Sequence, residues 1–368
     1  MNFYFRVDAS LKIGTGHVVR CITLAKALRD RGAKCNFICF QHEGNIIETI
    51  RNEGFEVNTL IKSRKRTIKK KYKRSNLFYE DWLEESWQED SKKIISLISN
   101  SMIDWLIVDH YALDKNWEKE LRPYVKKIMV IDDLADRGHD CDVLLDQNLI
   151  SNQKSKYHAH LPADCTTLFG PKYALLQPEY AKLHKSSSND RVLVKRIIIF
   201  FGGFDIHNLT ELVLVAFLKL NRNDIIVDII INDKNPNKSK IQKLSEENLN
   251  INTYTSLPSL ASLMSKADLA VGACGSTTWE RCCLGLPSIV ITVAENQKPI
   301  AMELDKQKLV KWIGHFDNIT ESKIHKSLEA FIDQNLMKWS NQCKQVTDGS
   351  GASKVVSMLM LDMKTKLK

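Results

Sequence analysis

Gly14-Thr15-Gly16-His17 is the first stretch of this sequence able to do chemistry. Two glycines let a backbone approach a ligand closely, and a helix opening at His17 offers unpaired N–H donors with a positive partial charge. A dinucleotide fingerprint would need a third glycine at position 19, which is Val19, and no Lys-Ser/Thr pair follows as a P-loop requires. The pattern suits phosphate or a sugar oxyanion and disfavours NAD and ATP. At a helix start, the dipole disfavours protonated His17 and leaves imidazole available as a base. A histidine that merely hydrogen-bonds the loop fits the spacing equally well.

The arrangement recurs at Gly272-Ala-Cys-Gly275-Ser276-Thr277-Thr-Trp-Glu280-Arg281. Small residues turn the chain after an apolar strand, and the hydroxyls and amides of Ser276 and Thr277 at the next helix could hold a diphosphate. Glu280, one turn further, could accept both hydroxyls of a ribose. The same spacing also reads as a capping box, with Thr277 as N-cap and Glu280 at N3. Asn296 and Gln297, in Ala294-Glu295-Asn296-Gln297, follow the strand SIVITV and could reach the same ligand or simply begin a helix. Asp109-His110-Tyr111 follows another strand end; His110 reads as structural more readily than as a second base. The run from Asp132 to Asp142 is rich in carboxylates with one histidine. It lacks both the ligand ladder of a calcium loop and the paired histidines of a zinc site, so no metal is expected.

The elements that must position these residues alternate regularly. Residues 3–8, 34–40, 105–109, 127–133 and 142–148 read as strands, with a helix from His17 to about Arg31 stopped by Gly32. A polar stretch at 184–190, HKSSSND, reads as a linker. A second series then follows, with strands at 196–203, 225–231, 250–255, 268–273, 288–293 and 310–314. Such alternation implies parallel sheets with helices on their faces, and open sheets of this kind bind ligands at the strands' carboxyl ends. The expected organisation is a domain over 1–185, a second over 191–335 and a helical tail over 336–368, with a cleft between two doubly wound halves.

Composition narrows the class. The chain has 368 residues, 43% hydrophobic and 26% charged, as in an ordinary two-domain soluble protein. Its apolar runs are strand-sized, and the N-terminus lacks a signal-peptide pattern; a cytoplasmic protein without membrane partner is expected. The net charge of +9 resides largely in RKRTIKKKYKR at 64–74, followed by the acidic YEDWLEESWQED. That reads as a solvated basic loop facing an acidic helix rather than a nucleic-acid surface. Nine cysteines without Cys-x-x-Cys pairs fit reduced, buried thiols. No heptad seam is present, so a monomer is expected.

Seven blocks, in order, carry a resemblance: VDASLKIGTGHVVRCITLAKAL, VDHYALD, IDDLADRGHDCDVLLDQN, GPKYALLQPEY, FFGGFD, GACGSTTWERCCLGLPSIVI and AENQ. Together they resemble the UDP-2,4-diacetamido-2,4,6-trideoxy-β-L-altropyranose hydrolases of pseudaminic acid biosynthesis, over about residues 3–300. The resemblance implies a glycosyltransferase-B fold and inverting cleavage of the sugar–UDP bond by water, without a cofactor. It implies His17 as the general base, Tyr111 beside the sugar, Glu280 on the ribose and Asn296 on the nucleotide sugar. Gly14, Gly16, Gly275, Ser276, Thr277 and Gln297 complete the expected substrate contacts. A glycosyltransferase of the same fold is the alternative. The run 64–74 and the chain beyond Gln297 carry no implied role.

Overall fold

The computed structural model describes residues 1–62, 79–99, 102–186, 191–233, 235–255 and 257–364. The basic run at 64–74 and residues 187–190 of the expected linker lie outside them.

Thirteen strands are described: β1 Asn2–Val7, β2 Lys34–Phe40, β3 Glu56–Leu60, β4 Ile103–Asp109, β5 Val125–Ile131, β6 Val143–Asp146, β7 Thr166–Phe169, β8 Arg196–Phe200, β9 Ile226–Ile231, β10 Ile251–Thr255, β11 Leu269–Ala273, β12 Ser288–Thr292 and β13 Lys311–His315. They form a seven-stranded sheet, β3-β2-β1-β4-β5-β6-β7, and a six-stranded sheet, β10-β9-β8-β11-β12-β13. Every pairing in both is parallel. The order reverses between β1 and β4 in the first sheet and between β8 and β11 in the second. These are the switch points at which doubly wound sheets bind ligands.

Burial on both faces explains the apolar runs. In β8, Ile197 and Ile199 enter a core shared with the helices Leu209–Leu218 and Glu321–Ile332, whereas Ile198 joins an opposite core with Trp279, Ile300 and Tyr180. Alternate residues of one strand thus feed two hydrophobic layers, as a parallel sheet covered on both faces demands. In the first sheet Leu106, Val108, Ile128, Val130 and Leu144 share one core with Trp117. The helix Gly16–Arg29 ends before Gly32, whose φ of 81° takes the left-handed turn that stops it.

The described chain divides into two compact units, residues 1–147 with 152–170 and 353 onward, and residues 148–151 with 171–352. The division differs from a boundary at 185. The helix Pro178–Ser186 runs through the start of the expected linker, and it is tied to the second unit: Tyr180 Oη donates to Glu280, the Cys283 thiol donates to the Tyr180 carbonyl, and His184 Nδ1 lies 2.7 Å from the Cys283 carbonyl. The tail is likewise divided. Met337–Lys344 belongs to the second unit, and the helix Gly351–Lys364 passes into the first at Ser353.

The acidic segment is only partly helical. Glu80–Trp82 is a single 3-10 turn, and the helix begins at Trp87, with Ser86 accepting the Glu89 amide at 3.3 Å. All nine cysteines are free, and all but Cys165 are buried; burial pushes the Cys35 and Cys283 thiols up to about 12. Among the described residues no helix is long and apolar enough to cross a membrane.

Candidate active site

At the switch point of the first sheet, the chain leaves β1 through Asp8 and turns over Ser10, whose carbonyl accepts the Gly14 amide at 2.8 Å. Gly14 has a φ of 79° and open space where a side chain would stand. Gly16 begins the helix, and His17 on its first turn points at the neighbouring strand end. There His17 Nδ1 lies 2.6 Å from Asp109 Oδ1, the last residue of β4. Asp109 also takes a two-pronged contact from Arg20, Nε to Oδ2 and Nη2 to Oδ1, both at 2.6 Å. Burial by itself would raise the Asp109 carboxyl, but Arg20 and then His17 overrule it and hold it well below the usual carboxylate range. An ionised Asp109 accepts the Nδ1 proton, so in the neutral ring Nε2 is the lone-pair nitrogen. Among the described residues nothing hydrogen-bonds Nε2, and His17 is 9% exposed. The geometry is that of a base oriented by a carboxylate.

Aromatic rings wall this base. Tyr111 meets His17 edge-on at 4.7 Å between centroids, Trp82 does so at 5.6 Å, and Trp82 stacks on Tyr111 at 5.0 Å. The Tyr111 hydroxyl donates to Asp133, and burial followed by that carboxylate pushes its phenol well above the ordinary value. Tyr111 is therefore a neutral donor. Three members of the constellation were not singled out by sequence reasoning. Asp109 was seen only as a strand end, Arg20 only inside a helix, and Trp82 only inside an acidic run. The available signal was spacing: His17 and Arg20 are i and i+3, hence on one helix face.

Beneath lies a buried ionic cluster. Arg6 bonds Asp8 at 2.6 Å and Asp90 at 2.7 Å, and Trp117 Nε1 donates to Asp90 at 2.9 Å. His110 places Nε2 3.2 Å from Asp8, off the angle of a good hydrogen bond, while Nδ1 accepts the Ala112 amide. Burial, only partly offset by Asp8, pushes the His110 imidazolium below its ordinary value. His110 is 2% exposed, and its place is structural.

The carboxylates of the 132–142 run are engaged with the protein itself. Asp132 pairs with Arg137 at 2.8 Å and takes the Ala135 amide and the Tyr157 hydroxyl; His139 Nδ1 meets Glu118, and Arg122 binds Asp140 and Asp142. No three side chains gather as a metal site among the described residues.

Acid should expose these pairs. Asp132 is held down to about 2 by Arg137 and its hydrogen bonds against the opposing effect of burial, and Asp8 and Asp109 are also depressed. In the unfolded chain such groups titrate near 3.9, at about the ordinary value. Between there and the folded values the unfolded state binds more protons, so stability rises with pH. Urea midpoints followed by circular dichroism should therefore fall steeply from about pH 4 towards pH 2, and a midpoint unchanged over that range would contradict these pairings.

In the second unit, the loop 272–277 follows β11 at its own switch point. Ser276 is the N-cap of the helix Thr277–Cys283 and makes no side-chain cap bond, so the capping box is not formed. Glu280 instead accepts the Tyr180 hydroxyl at 2.9 Å; burial raises its carboxyl, and Tyr180 partly offsets this. Gln297 Oε1 accepts the Val293 amide at 2.9 Å, which fixes its orientation. Its Nε2 then lies 3.8 Å from where a Gly275 side chain would begin, with nothing else within 4 Å. Two separate sequence blocks, Gly275 and Gln297, thus flank one open position. Asn296 is the N-cap residue of the helix Gln297–Lys306. In the FFGGFD block, Gly202 has a φ of 93°, and Asp205 accepts the Leu209 and Thr210 amides at 2.9 Å each, so that carboxylate serves as a helix cap. The structure brings His17, Tyr111, Gly14 and Gly16 together in the first unit and Gly275, Ser276, Thr277, Glu280 and Gln297 in the second.

Residues 197–355 match the model of the glycosyltransferase family 28 C-terminal domain. The match runs from β8 to beyond β13 and contains the entire second group of candidate residues. Over 308 residues the chain is 27% identical to the UDP-2,4-diacetamido-2,4,6-trideoxy-β-L-altropyranose hydrolase of Campylobacter jejuni, covering 83% of this chain and 97% of that one. The resemblance carried by the seven blocks is borne out. Among solved structures, MurG of Acinetobacter baumannii superposes with a TM-score of 0.65 at 13% identity, covering 98% of this chain and 99% of that one. Arabidopsis thaliana UGT89C1, complexed with UDP-L-rhamnose, superposes with a TM-score of 0.66 at 10% identity, covering 97% and 98%. The fold is glycosyltransferase-B-like.

Proposed function

We propose that the protein is a UDP-sugar hydrolase that releases UDP from UDP-2,4-diacetamido-2,4,6-trideoxy-β-L-altropyranose by attack of water on the anomeric carbon, with inversion. The observation that carries this reading is the His17–Asp109 pair at 2.6 Å, in a chain similar over most of its length to a hydrolase of that name. Nε2 of His17 takes a proton from water as its oxygen bonds to the anomeric carbon. The carbon–oxygen bond to UDP breaks, and its electron pair leaves with the diphosphate. Asp109 stabilises the imidazolium that forms. Tyr111, neutral and anchored on Asp133, positions the sugar. Gly275, Ser276, Thr277 and Gln297 hold the diphosphate, and Glu280 accepts the ribose hydroxyls. The enzyme needs no cofactor for this chemistry and works as a cytoplasmic monomer in pseudaminic acid biosynthesis.

Turnover in ¹⁸O-water, read by mass spectrometry, tests the reaction. Label on the anomeric oxygen of the sugar is expected; label in UDP means attack at phosphorus and overturns the mechanism. A glycosyltransferase is the second reading, favoured by the family 28 domain. UDP release that appears only when an acceptor is added would establish it instead.

The ribose assignment has its own test. Glu280→Ala should weaken UDP binding by about tenfold, the scale of hydrogen bonds to a charged group. Calorimetry should also show that the wild type, but not the variant, discriminates UDP from 2′-deoxy-UDP. Equal discrimination by both would remove Glu280 from the ribose.

A further inference from the structure

Arg281 is 2% exposed, yet no carboxylate lies within ion-pair distance of it among the described residues. Its Nη2 donates to the Ala273 carbonyl at 2.8 Å and to Thr278 Oγ1 at 3.1 Å, its Nη1 donates to Thr277 Oγ1 at 3.3 Å, and its Nε has no partner. The neighbouring Glu280 is turned away onto Tyr180. A buried cation without a counter-ion is costly, and cores normally pair it or omit it. Here the loop is shaped to hold it. At Gly272 a side chain would begin 2.3 Å from the Phe200 carbonyl and 3.1 Å from Arg281 Nη1, so only glycine lets the strand end close over the guanidinium.

The contact with Thr277 gives the charge a direction. A hydroxyl that accepts from a cation has its lone pair engaged, so its proton is left for another acceptor, and the polarisation makes it a stronger donor. Thr277 is partly exposed at the loop whose Gly275 faces open space.

We propose that Arg281 is a positioning residue that confers diphosphate preference on the 272–277 loop, acting through the Thr277 hydroxyl without touching the ligand. This rests on the reading of that loop as the diphosphate site. An anion of charge −2 to −3 would supply the missing counter-charge, whereas an uncharged nucleoside would not. The same positive field would favour the leaving UDP as its negative charge develops.

Calorimetry with UDP and uridine on the full chain decides it. Wild type should bind UDP more tightly than uridine. Arg281→Met should lose about tenfold or more of UDP affinity with uridine affinity unchanged, and Arg281→Lys should restore part of the loss. Thr277→Val, which keeps the shape and removes the hydroxyl, should show the same selective loss, and Arg281→Lys serves as the variant of Arg281 if Arg281→Met does not fold. Equal loss of both ligands, or no loss of UDP in Thr277→Val, overturns the role of Arg281 while leaving the nucleotide site standing. A wild type that binds UDP no better than uridine overturns the diphosphate reading and this proposal together.

Discussion

Replacing His17 by alanine should lower kcat by about 10²–10⁴-fold, the usual contribution of a positioned general base. The fold should survive, because His17 sits at the rim of the core and its loss leaves Asp109 fully engaged with Arg20. Asp109→Asn is the sharper companion. An asparagine amide can rotate either oxygen or nitrogen towards Nδ1, so it no longer dictates which ring nitrogen keeps the lone pair, and it cannot stabilise the imidazolium. A fall in kcat of at least ~10²-fold is expected there too. Asp109→Asn also removes the counter-charge of buried Arg20, so its melting temperature should drop where that of His17→Ala does not. Stopped assays of UDP release, paired with thermal melts, separate the two effects. Near-wild-type turnover in a folded His17→Ala would falsify the base assignment outright.

The contrast between these variants shows what the sequence could and could not reveal. His17 was legible because its chemistry lies in local spacing: two glycines, a strand before and a helix after. Asp109 was visible only as the end of WLIVD, since its partnership with a residue 92 positions earlier depends on β1 and β4 being neighbours. That adjacency is the sheet's order reversal, which no local pattern encodes. Strands buried on both faces, such as RIIIF and IVDIII, announced themselves as apolar runs. The polar-rich edge strands β3 and β7, EVNTL and TTLF, did not, because half of each strand need not be apolar when its neighbours cover one side only.

The domain boundary was obscured for a related reason. A polar run of Ser, Asn and Asp looks like a linker whatever it joins, whereas the actual passage at Gly170 and Pro171 lies inside a block with apolar residues on both sides. Contacts between the helices Pro178–Ser186 and Thr277–Cys283 decide the matter, and those are a hundred residues apart in sequence. The capping-box reading of Glu280 failed similarly: a side chain that could bond its own helix start found Tyr180 instead.

Asp90 is the case with the largest expected effect on stability. In YEDWLEESWQED it reads as one of several acidic residues on a helix facing the basic loop, yet it is fully buried. It accepts Arg6 Nη2 at 2.7 Å and Trp117 Nε1 at 2.9 Å, and Arg6 in turn bonds Asp8. Asp90→Ala therefore strips one of two carboxylates from a buried guanidinium, orphans an indole N–H and leaves a cavity. Breaking a buried pair by removing one partner costs about 3–5 kcal/mol. Asp90→Asn keeps the volume and an acceptor for Trp117, so its loss should be smaller. Urea unfolding should rank wild type, Asp90→Asn and Asp90→Ala in that order. An Asp90→Ala protein within about 1 kcal/mol of wild type would mean that Asp8 alone satisfies Arg6. The replacement should also reach the candidate active site, because Asp8 holds Arg6 on one side and lies beside His110, which directly precedes Tyr111 in the chain. A shift in KM beyond the stability loss, at a temperature where the variant is folded, is the signature of that connection.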